Sequence, residues 1–482
     1  MMTLQQALSW LPGGVPVGDL ATAVAGVHTD TRSLRPGDLF VALKGDTYDA
    51  NRFLAQAKAG GAAAALCHPG AGLQRSGLPG IEVADSKQAL GALAGAWRAQ
   101  FDLPIIAVTG SNGKTTVTQM LASVLRAYKP TAMLATQGNF NNDIGVPLTL
   151  LRLRREHEIA VIELGMNHPG EIALLAKMTR PSVALVNNAQ REHLEFMATL
   201  DAVAHENGAV ITSLAGDGVA VFPHDDAFTG LWRALAGQRR HMTFALDSGI
   251  PANGHRTADV ACPRPQWADG AWQVRANTPA GRLAFALHIA GLHNVRNALA
   301  ASTCALAAGV PLAAIQRGLE SFAAVKGRSR TLPLTIGQRH VTLVDDSYNA
   351  NPDSVHAALE LLASLPAPRL MVLGDMAEVG DQGALFHAQA GEHAAKLGIE
   401  SLFTLGALCA NASRHFSGAR HFDAMPALVT AVLEHLPHAA SVLVKGSRGM
   451  QMERVVEALQ ALTTRTTRAC PPPATTQETP CS

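Results

Sequence analysis

An excess of charge of one sign is missing from this chain: Lys plus Arg number 39 against 38 Asp plus Glu over 482 residues. The totals therefore carry no electrostatic footprint for nucleic acid or an acidic membrane surface. A phosphate site remains open, since it needs only a few well-placed cations. Cysteine pairs are missing too. Cys67, Cys262, Cys304, Cys409, Cys470 and Cys481 are scattered without any C-x-x-C spacing, which reads as reduced thiols in a cytosolic protein. No uninterrupted apolar run reaches the ~20 residues that a membrane span requires. The start, Met1 to Leu8, lacks a basic region followed by a long apolar stretch, so no signal peptide is expected. The expectations are a cytoplasmic monomer, no nucleic-acid partner and no membrane insertion.

What is present is core material. Hydrophobic residues make up 48 % and charged residues 16 %, and the length allows two to four domains at about 100–200 residues each. Up to about residue 100, Val24 to His28, Leu39 to Leu43 and Ala62 to Leu66 read as strands, and Ala50 to Ala59 and Ser86 to Gln100 as helices. The join at Phe101-Asp102-Leu103-Pro104 is a boundary, because the residue before proline leaves helical geometry. Ile105 to Val108 is then a continuous apolar strand, Thr115 to Tyr128 is helical, and Val161 to Leu164 and Val183 to Val186 are further buried strands. Such alternation predicts a parallel sheet with helices on both faces. The pattern blurs between Gly249 and Gly281, where hairpins or an irregular excursion are expected. After Ser329 a second α/β series has strands at Val341 to Asp345, Leu370 to Leu373, Leu402 to Leu405 and Val442 to Val444. From Thr463 the tail, with Pro471, Pro472, Pro473 and many Thr, reads as disordered.

Between the strand ending at Val108 and the next helix stands Thr109-Gly110-Ser111-Asn112-Gly113-Lys114-Thr115-Thr116. Glycines there let backbone amides approach phosphate oxygens, and a helix N-terminus adds a favourable dipole. Lys114 would bridge the outer phosphates and the Thr115 hydroxyl would reach Mg²⁺. The spacing departs from G-x-x-x-x-G-K-T, because Val108 occupies the first glycine's place. A plain Gly-rich turn is the alternative, but it does not explain Gly-Lys-Thr-Thr at a helix start. The metal also needs a carboxylate. Glu163 closes a very apolar strand, where a charge is costly unless paired or metal-bound; a strand-end Glu facing solvent is the other possibility.

The loop resembles the variant phosphate loop of the Mur ligases, which build the peptide stem of bacterial cell-wall precursors. Further matches follow in order: Thr136 to Leu148 with Asn139, Asn141 and Asn142; Glu163-Leu164-Gly165; His193-Leu194-Glu195; Gly291-Leu292-His293-Asn294; Lys326-Gly327-Arg328. The series ends with Asp345-Asp346-Ser347-Tyr348-Asn349-Ala350-Asn351-Pro352, Leu373-Gly374-Asp375-Met376 and Lys445-Gly446-Ser447-Arg448. Within the family, Asp345 to Ser354 and Leu373 to Met376 resemble the member that adds D-alanyl-D-alanine to UDP-N-acetylmuramoyl-tripeptide. The Asp-Asn-Pro-Arg string of the sister that adds a diamino acid is absent.

The resemblance implies an α/β fold in three domains. These are a UDP-substrate domain over 1–101, a central P-loop parallel-sheet ATPase domain over 102–329, and a Rossmann-like α/β domain over 330–465 that takes the incoming dipeptide. Residues 466–482 would be a disordered tail. It implies ATP and Mg²⁺ as cofactors and an acyl-phosphate intermediate. Lys114, Glu163, His193 and Arg328 would be catalytic, with Thr115, Glu163 and His193 holding metal. Gly110 to Thr116, Asn294 facing adenine, Asp346 facing the ribose, and Arg328 would hold the nucleotide. Asp30, Thr31, Arg32 and Lys44 would serve the UDP substrate, and Asn139, Asn141, Asn142, Asn349, Asn351, Lys445 and Ser447 the other substrate contacts. Singly, His193 also fits a capped loop histidine, Asn294 a helix cap, and Arg32 and Lys44 solvated surface charges; only the co-linear set favours the functional reading.

The pattern breaks at one place. Many relatives carry a lysine fourteen residues after the metal-site His, carbamylated to support a second Mg²⁺; here that position is Asn207, and Pro223 stands where the family often has Asn. An amide cannot be carbamylated. Independence from bicarbonate is therefore expected, with Asn207 as a neutral ligand or acting through water. Two rivals stay open. One is a ligase for another amino-acid acceptor, such as a folylpolyglutamate or cyanophycin synthetase, against which the N-terminal UDP-type domain argues because folylpolyglutamate synthetases lack it. The other is a P-loop switch ATPase, which would hydrolyse ATP without either substrate.

Overall fold

The structure, a computed structural model, describes residues 1–246 and 258–468. The chain divides into two compact units. The first contains Met1–Gln190, Phe196–Leu287 and Asn294–Phe322; the second contains Arg191–Glu195, His288–His293 and the chain from Ala323 onward.

Unit 1 carries two large sheets. The smaller has five strands in the order Val15–Val17, Gly80–Glu82, Ala64–Cys67, Leu39–Val41, Val27–His28, parallel except for the first. The strand expected over Val24 to His28 is split: Ala23–Val24 pairs with Met2–Thr3 in a separate ribbon, and Val27–His28 joins the five-stranded sheet. Gly26 at the break lies so close to the Asp38 carboxylate that a Cβ would come within 2.5 Å of its Oδ1.

The larger sheet has ten strands among the described residues. From Val260–Ala261 through Arg240–Ala245, Val219–Pro223, Val183–Val186, Ile105–Thr109 and Ile159–Glu163 to Met133–Ala135 it is parallel. The central strands Val219–Pro223, Val183–Val186, Ile105–Thr109 and Ile159–Glu163 are buried throughout, which is why apolar residues dominate them. Of the stretch expected to be irregular, residues 249–257 lie outside the described residues. Beyond Val260–Ala261 the stretch forms hairpins, Gln266–Ala268 with Ala271–Thr278 and the latter with Gly281–Leu287. Ile105–Thr109 lies between Val183–Val186 and Ile159–Glu163, both later in the chain. It is thus a topological switch point, and ligands of open parallel sheets bind beyond the carboxyl ends of strands at such points.

One core joins the two sheets of unit 1. The helix Ser86–Arg98 buries Leu90, Leu93 and Ala94 in the same cluster as Val146, Leu150 and Ile172 from the helices Gly145–Leu150 and Glu171–Thr179. Arg98, 7 % exposed, ends that helix. It donates to the carbonyls of Phe101 (2.6 Å), Thr179 (2.9 Å), Arg180 (3.1 Å) and Leu103 (3.4 Å). Burial lowers its pKa, but the four carbonyls take four of its five N–H donors. Two of its partners, Phe101 and Leu103, lie in the Phe101-to-Pro104 join itself, and two, Thr179 and Arg180, lie beyond it.

Unit 2 is a six-stranded sheet among the described residues. The antiparallel pair Arg330–Ile336 and Arg339–Asp346 leads into parallel Ser441–Lys445, Arg369–Gly374, Ser401–Leu405 and Arg420–Phe422. Helices cover it, with Val355, Leu359 and Leu362 on one side and Leu428, Val432 and Val456 on the other. The register sets Asp346 beside Lys445. The last helix, Glu453–Arg468, runs into the region expected to be a tail, and residues 469–482 lie outside those described. Among the described residues no helix is long and apolar enough to cross a membrane.

Candidate functional site

Ile105–Thr109 is wholly buried, and the chain leaves it through Gly110 and Gly113 before the helix Lys114–Tyr128 begins. Both glycines have positive φ, +129° and +82°. A Cβ on Gly110 would meet the Asn187 backbone nitrogen at 2.9 Å, and one on Gly113 would meet Asn297 Oδ1 at 2.4 Å. Conformation and space therefore both require glycine. The backbone N–H groups of Gly113, Thr115 and Thr116 have no acceptor among the described residues, and they crown a fifteen-residue helix. That is the arrangement an anion needs: aligned donors and the positive end of a helix dipole. Lys114 Nζ folds back on the loop, donating to Gly110 O at 2.6 Å and Ser111 O at 3.0 Å.

Glu163 ends the neighbouring strand and is 1 % exposed. Its Oε1 accepts from Thr115 Oγ1 at 2.9 Å and Asn141 Nδ2 at 2.8 Å, while its Oε2 is buried with no partner among the described residues. A buried carboxylate oxygen with no donor is costly unless something cationic completes it. Carboxylate, hydroxyl and amide oxygens are the hard donors that Mg²⁺ prefers. The residues fit the metal.

Asn207, expected to offer itself to a metal, is wholly buried, and both its polar atoms are taken. Its Oδ1 accepts from Thr109 Oγ1 at 2.7 Å and its Nδ2 donates to Val203 O at 3.1 Å. Expected as a neutral ligand or as acting through water, Asn207 tethers the last residue of the loop strand to the helix Leu200–Thr212. Asn294, 2 % exposed in the first turn of the helix Leu292–Ala307, accepts from Asn297 Nδ2 at 3.1 Å. Asn142 Oδ1 accepts from Gly145 N at 2.8 Å just before the helix Gly145–Leu150, and Asn139 is exposed. In the five-stranded-sheet region Asp30 and Arg32 grip each other, Nη2 to Oδ2 at 2.6 Å, and that contact holds the Asp30 carboxyl at about 2. Thr31 lies between them and Lys44 is exposed.

The remaining candidates belong to unit 2. His193 has a left-handed backbone (φ 51°), and its ring lies between Glu378, at Nδ1, and Glu192, at 3.4 Å from Nε2. Arg328 lies over the Tyr348 ring at 4.2 Å. Asp346 Oδ2 accepts from Lys445 Nζ at 2.6 Å and its Oδ1 from Ser329 N at 2.9 Å. Burial opposes the charge on Asp346, but the Lys445 ammonium outweighs it and holds the carboxyl below its usual range. Lys445, only 3 % exposed, also donates to Asn349 O at 2.9 Å. Asn351 caps the helix Pro352–Ala363 by accepting from Ser354 N at 2.8 Å. Ser447, also buried, donates its N–H to Asp375 O at 2.9 Å. Asp375, His387 and Cys409 have ligand-type atoms within 4.8 Å of one another. The cluster is already bonded: His387 Nδ1 donates to Gly383 O, its Nε2 accepts from Met376 N, and burial drives the Cys409 thiol pKa well up.

The sequence reading missed Asn187, Asn188 and Gln190. They follow the apolar strand Val183–Val186 and bond directly to Ser111 and Asn112. The available signal was three amide side chains within four residues, just after a strand with no polar residue.

Three domain families match the chain in order: "Mur ligase family, catalytic domain" over residues 23–98, "Mur ligase middle domain" over 108–305, and "Mur ligase, glutamate ligase domain" over 330–448. The UDP-N-acetylmuramoyl-tripeptide--D-alanyl-D-alanine ligase of Escherichia coli (strain K12) is 39 % identical over 461 residues, covering 95 % of this chain and 98 % of that protein. The protein of the same name from Haemophilus influenzae is 36 % identical over 454 residues, with 92 % and 95 % covered. Among solved structures, MurF from Acinetobacter baumannii superposes with a TM-score of 0.84 at 34 % identity, covering 95 % of this chain and 98 % of that one.

Proposed function

The chain belongs to the Mur ligase family and is an ATP-dependent ligase, and from that premise we propose that it joins D-alanyl-D-alanine to UDP-N-acetylmuramoyl-tripeptide. The products are UDP-N-acetylmuramoyl-pentapeptide, ADP and phosphate. The names of relatives that match nearly end to end support the choice of substrates. The observation that carries the chemistry is Glu163, buried at a strand end with one oxygen on Thr115 and the other without a partner.

A carboxylate and an amine do not condense in water at neutral pH, so the carboxylate needs a leaving group. The γ-phosphoryl of ATP moves to a carboxylate oxygen of the tripeptide, and ADP departs. The dipeptide's amine nitrogen then attacks the acyl carbon, loses a proton, and the C–O bond to phosphate breaks. The first step brings two anions together. The N–H groups of Gly113, Thr115 and Thr116 hold phosphate oxygens from one side, and Lys114, reoriented from the loop carbonyls, supplies a full positive charge. Glu163, Thr115 and Asn141 would hold Mg²⁺, which when bound offsets phosphate charge.

The N-terminal region of residues 1–101 takes the UDP end through Asp30, Thr31, Arg32 and Lys44. The central region, 102–329, carries the nucleotide, and 330–465 takes the dipeptide. Asn294, Arg328 and Asp346 complete the nucleotide contacts, and His193 a second metal site. Phosphate release in the presence of ATP and Mg²⁺, with tripeptide or dipeptide omitted in turn, tests the reading. Release that requires both substrates is expected; release with neither would mark a free-standing ATPase and overturn it.

A further inference from the structure

A loop that opens on two glycines with positive φ is costly to order, because glycine loses more backbone freedom on folding than any other residue. Something must hold its shape, or that entropy is lost when the ligand binds. In this protein the support comes from the four residues after Val183–Val186. Ser111 N donates to Asn188 O at 3.1 Å. Asn112 N donates to Asn188 Oδ1 at 2.8 Å, and Asn112 O accepts from Asn187 Nδ2 at 2.7 Å and Asn188 Nδ2 at 3.0 Å. The Asn112 N–H is therefore turned toward the protein and not toward an anion.

Gln190 grips both residues of the loop's crest. Its main chain closes a ring with Ser111: Gln190 N donates to Ser111 Oγ at 2.9 Å, and Ser111 Oγ donates to Gln190 O at 3.2 Å. Its side-chain Oε1 accepts from Asn112 Nδ2 at 2.7 Å. That last contact joins two side chains 78 positions apart, and it is a neutral hydrogen bond in a partly buried place. A negative acceptor would serve the same geometry but would repel phosphate; an amide does not.

We propose that Gln190 is a positioning residue of the nucleotide site, which acts through the Asn112 side chain to hold the phosphate loop ready for an anion. It touches no reacting atom. Its effect is on the affinity for nucleotide, not on the chemical step. The inference rests on reading Gly110 to Thr116 as the nucleotide loop.

The test is direct binding of Mg-ADP by calorimetry, with no tripeptide or dipeptide present, to wild type, Gln190→Met, Asn112→Ala and the double variant. Met keeps the length of Gln and removes the acceptor; Gln190→Ala replaces it if Met disturbs folding, as read by thermal melting. The expected result is a three- to tenfold weaker Kd for each single variant. The double variant should be no weaker than the worse single, because both remove one contact. In steady state the KM for ATP should rise by the same factor, with kcat and the KM of the other two substrates within twofold. Wild-type affinity in Gln190→Met, or effects that multiply in the double variant, would overturn the proposal. Failure of the wild type itself to bind ADP would instead overturn the nucleotide-site reading beneath it.

Discussion

Replacing Glu163 with Gln isolates charge from shape. The carboxylate accepts two hydrogen bonds at Oε1, from Thr115 Oγ1 at 2.9 Å and Asn141 Nδ2 at 2.8 Å. The carbonyl oxygen of a glutamine can take that position and keep both. Its NH₂ then occupies the place of Oε2, which has no partner among the described residues. The fold loses little, because the variant exchanges a buried anionic oxygen for a buried unpaired amide costing about 1–3 kcal/mol. The site loses its negative charge and the oxygen free for a cation. Removing one preorganised electrostatic group from a site of this kind costs about 10²–10³ in rate, or roughly 2.7–4.1 kcal/mol of barrier at 1.36 kcal/mol per tenfold. Glu163→Gln should therefore lower kcat/KM about 100- to 1000-fold while the thermal midpoint moves by only a few degrees. The apparent Mg²⁺ requirement should rise in parallel. The assay is coupled ADP release across a Mg²⁺ titration, paired with a melting curve. Activity within tenfold of wild type at all Mg²⁺ concentrations would refute the metal-site reasoning.

Arg98→Ala deletes a guanidinium that satisfies four carbonyls, and urea unfolding should show a loss of about 2–4 kcal/mol; a change below about 0.5 kcal/mol would contradict the packing argument. Lys445→Met strands the Asp346 carboxylate, an uncompensated buried charge worth about 3–5 kcal/mol at neutral pH. Because Asp346 is held below its usual range, the ion pair's stabilisation is complete above the unfolded carboxyl's pKa of ~4 and fades as pH falls through the lower folded value. The stability gap between wild type and Lys445→Met should narrow in that acid window, and a gap independent of pH from 7 to 3 would refute the pairing. With Asn207 buried as a tether to Thr109, no carbamylated side chain forms there. Bicarbonate-depleted buffer should leave the rate unchanged, and a severalfold loss restored by bicarbonate would contradict this.

The elements most legible in the sequence were those whose burial leaves a continuous signal. Ile105 to Val108, Val183 to Val186 and Leu370 to Leu373 are apolar throughout because parallel strands are covered on both faces. Short or half-exposed strands carried no such mark: Met133–Ala135, Arg240–Ala245 and Arg420–Phe422 are strands only through their neighbours. The loop and Glu163 were legible because their residue types are locally improbable without a ligand. Asn351, read as a substrate contact, is a helix cap in the structure. Lys445, read in the same way, pairs with Asp346 across neighbouring strands, 99 positions away in the chain. The cap is local, through Ser354, but the Lys445 pair is not, and sequence spacing cannot supply a cross-strand register. Gln190 escaped for the same reason, since its meaning lies in a bond to Asn112.

The central claim is the amide bond made between a nucleotide-linked tripeptide and D-alanyl-D-alanine. Incubating the protein with UDP-N-acetylmuramoyl-tripeptide, ATP, Mg²⁺ and D-alanyl-D-alanine, and weighing the products by mass spectrometry, tests it directly. UDP-N-acetylmuramoyl-pentapeptide is expected in equal amount with ADP and phosphate, and none when any component is left out. Absence of that product with both the diaminopimelate- and the lysine-containing tripeptide would contradict it.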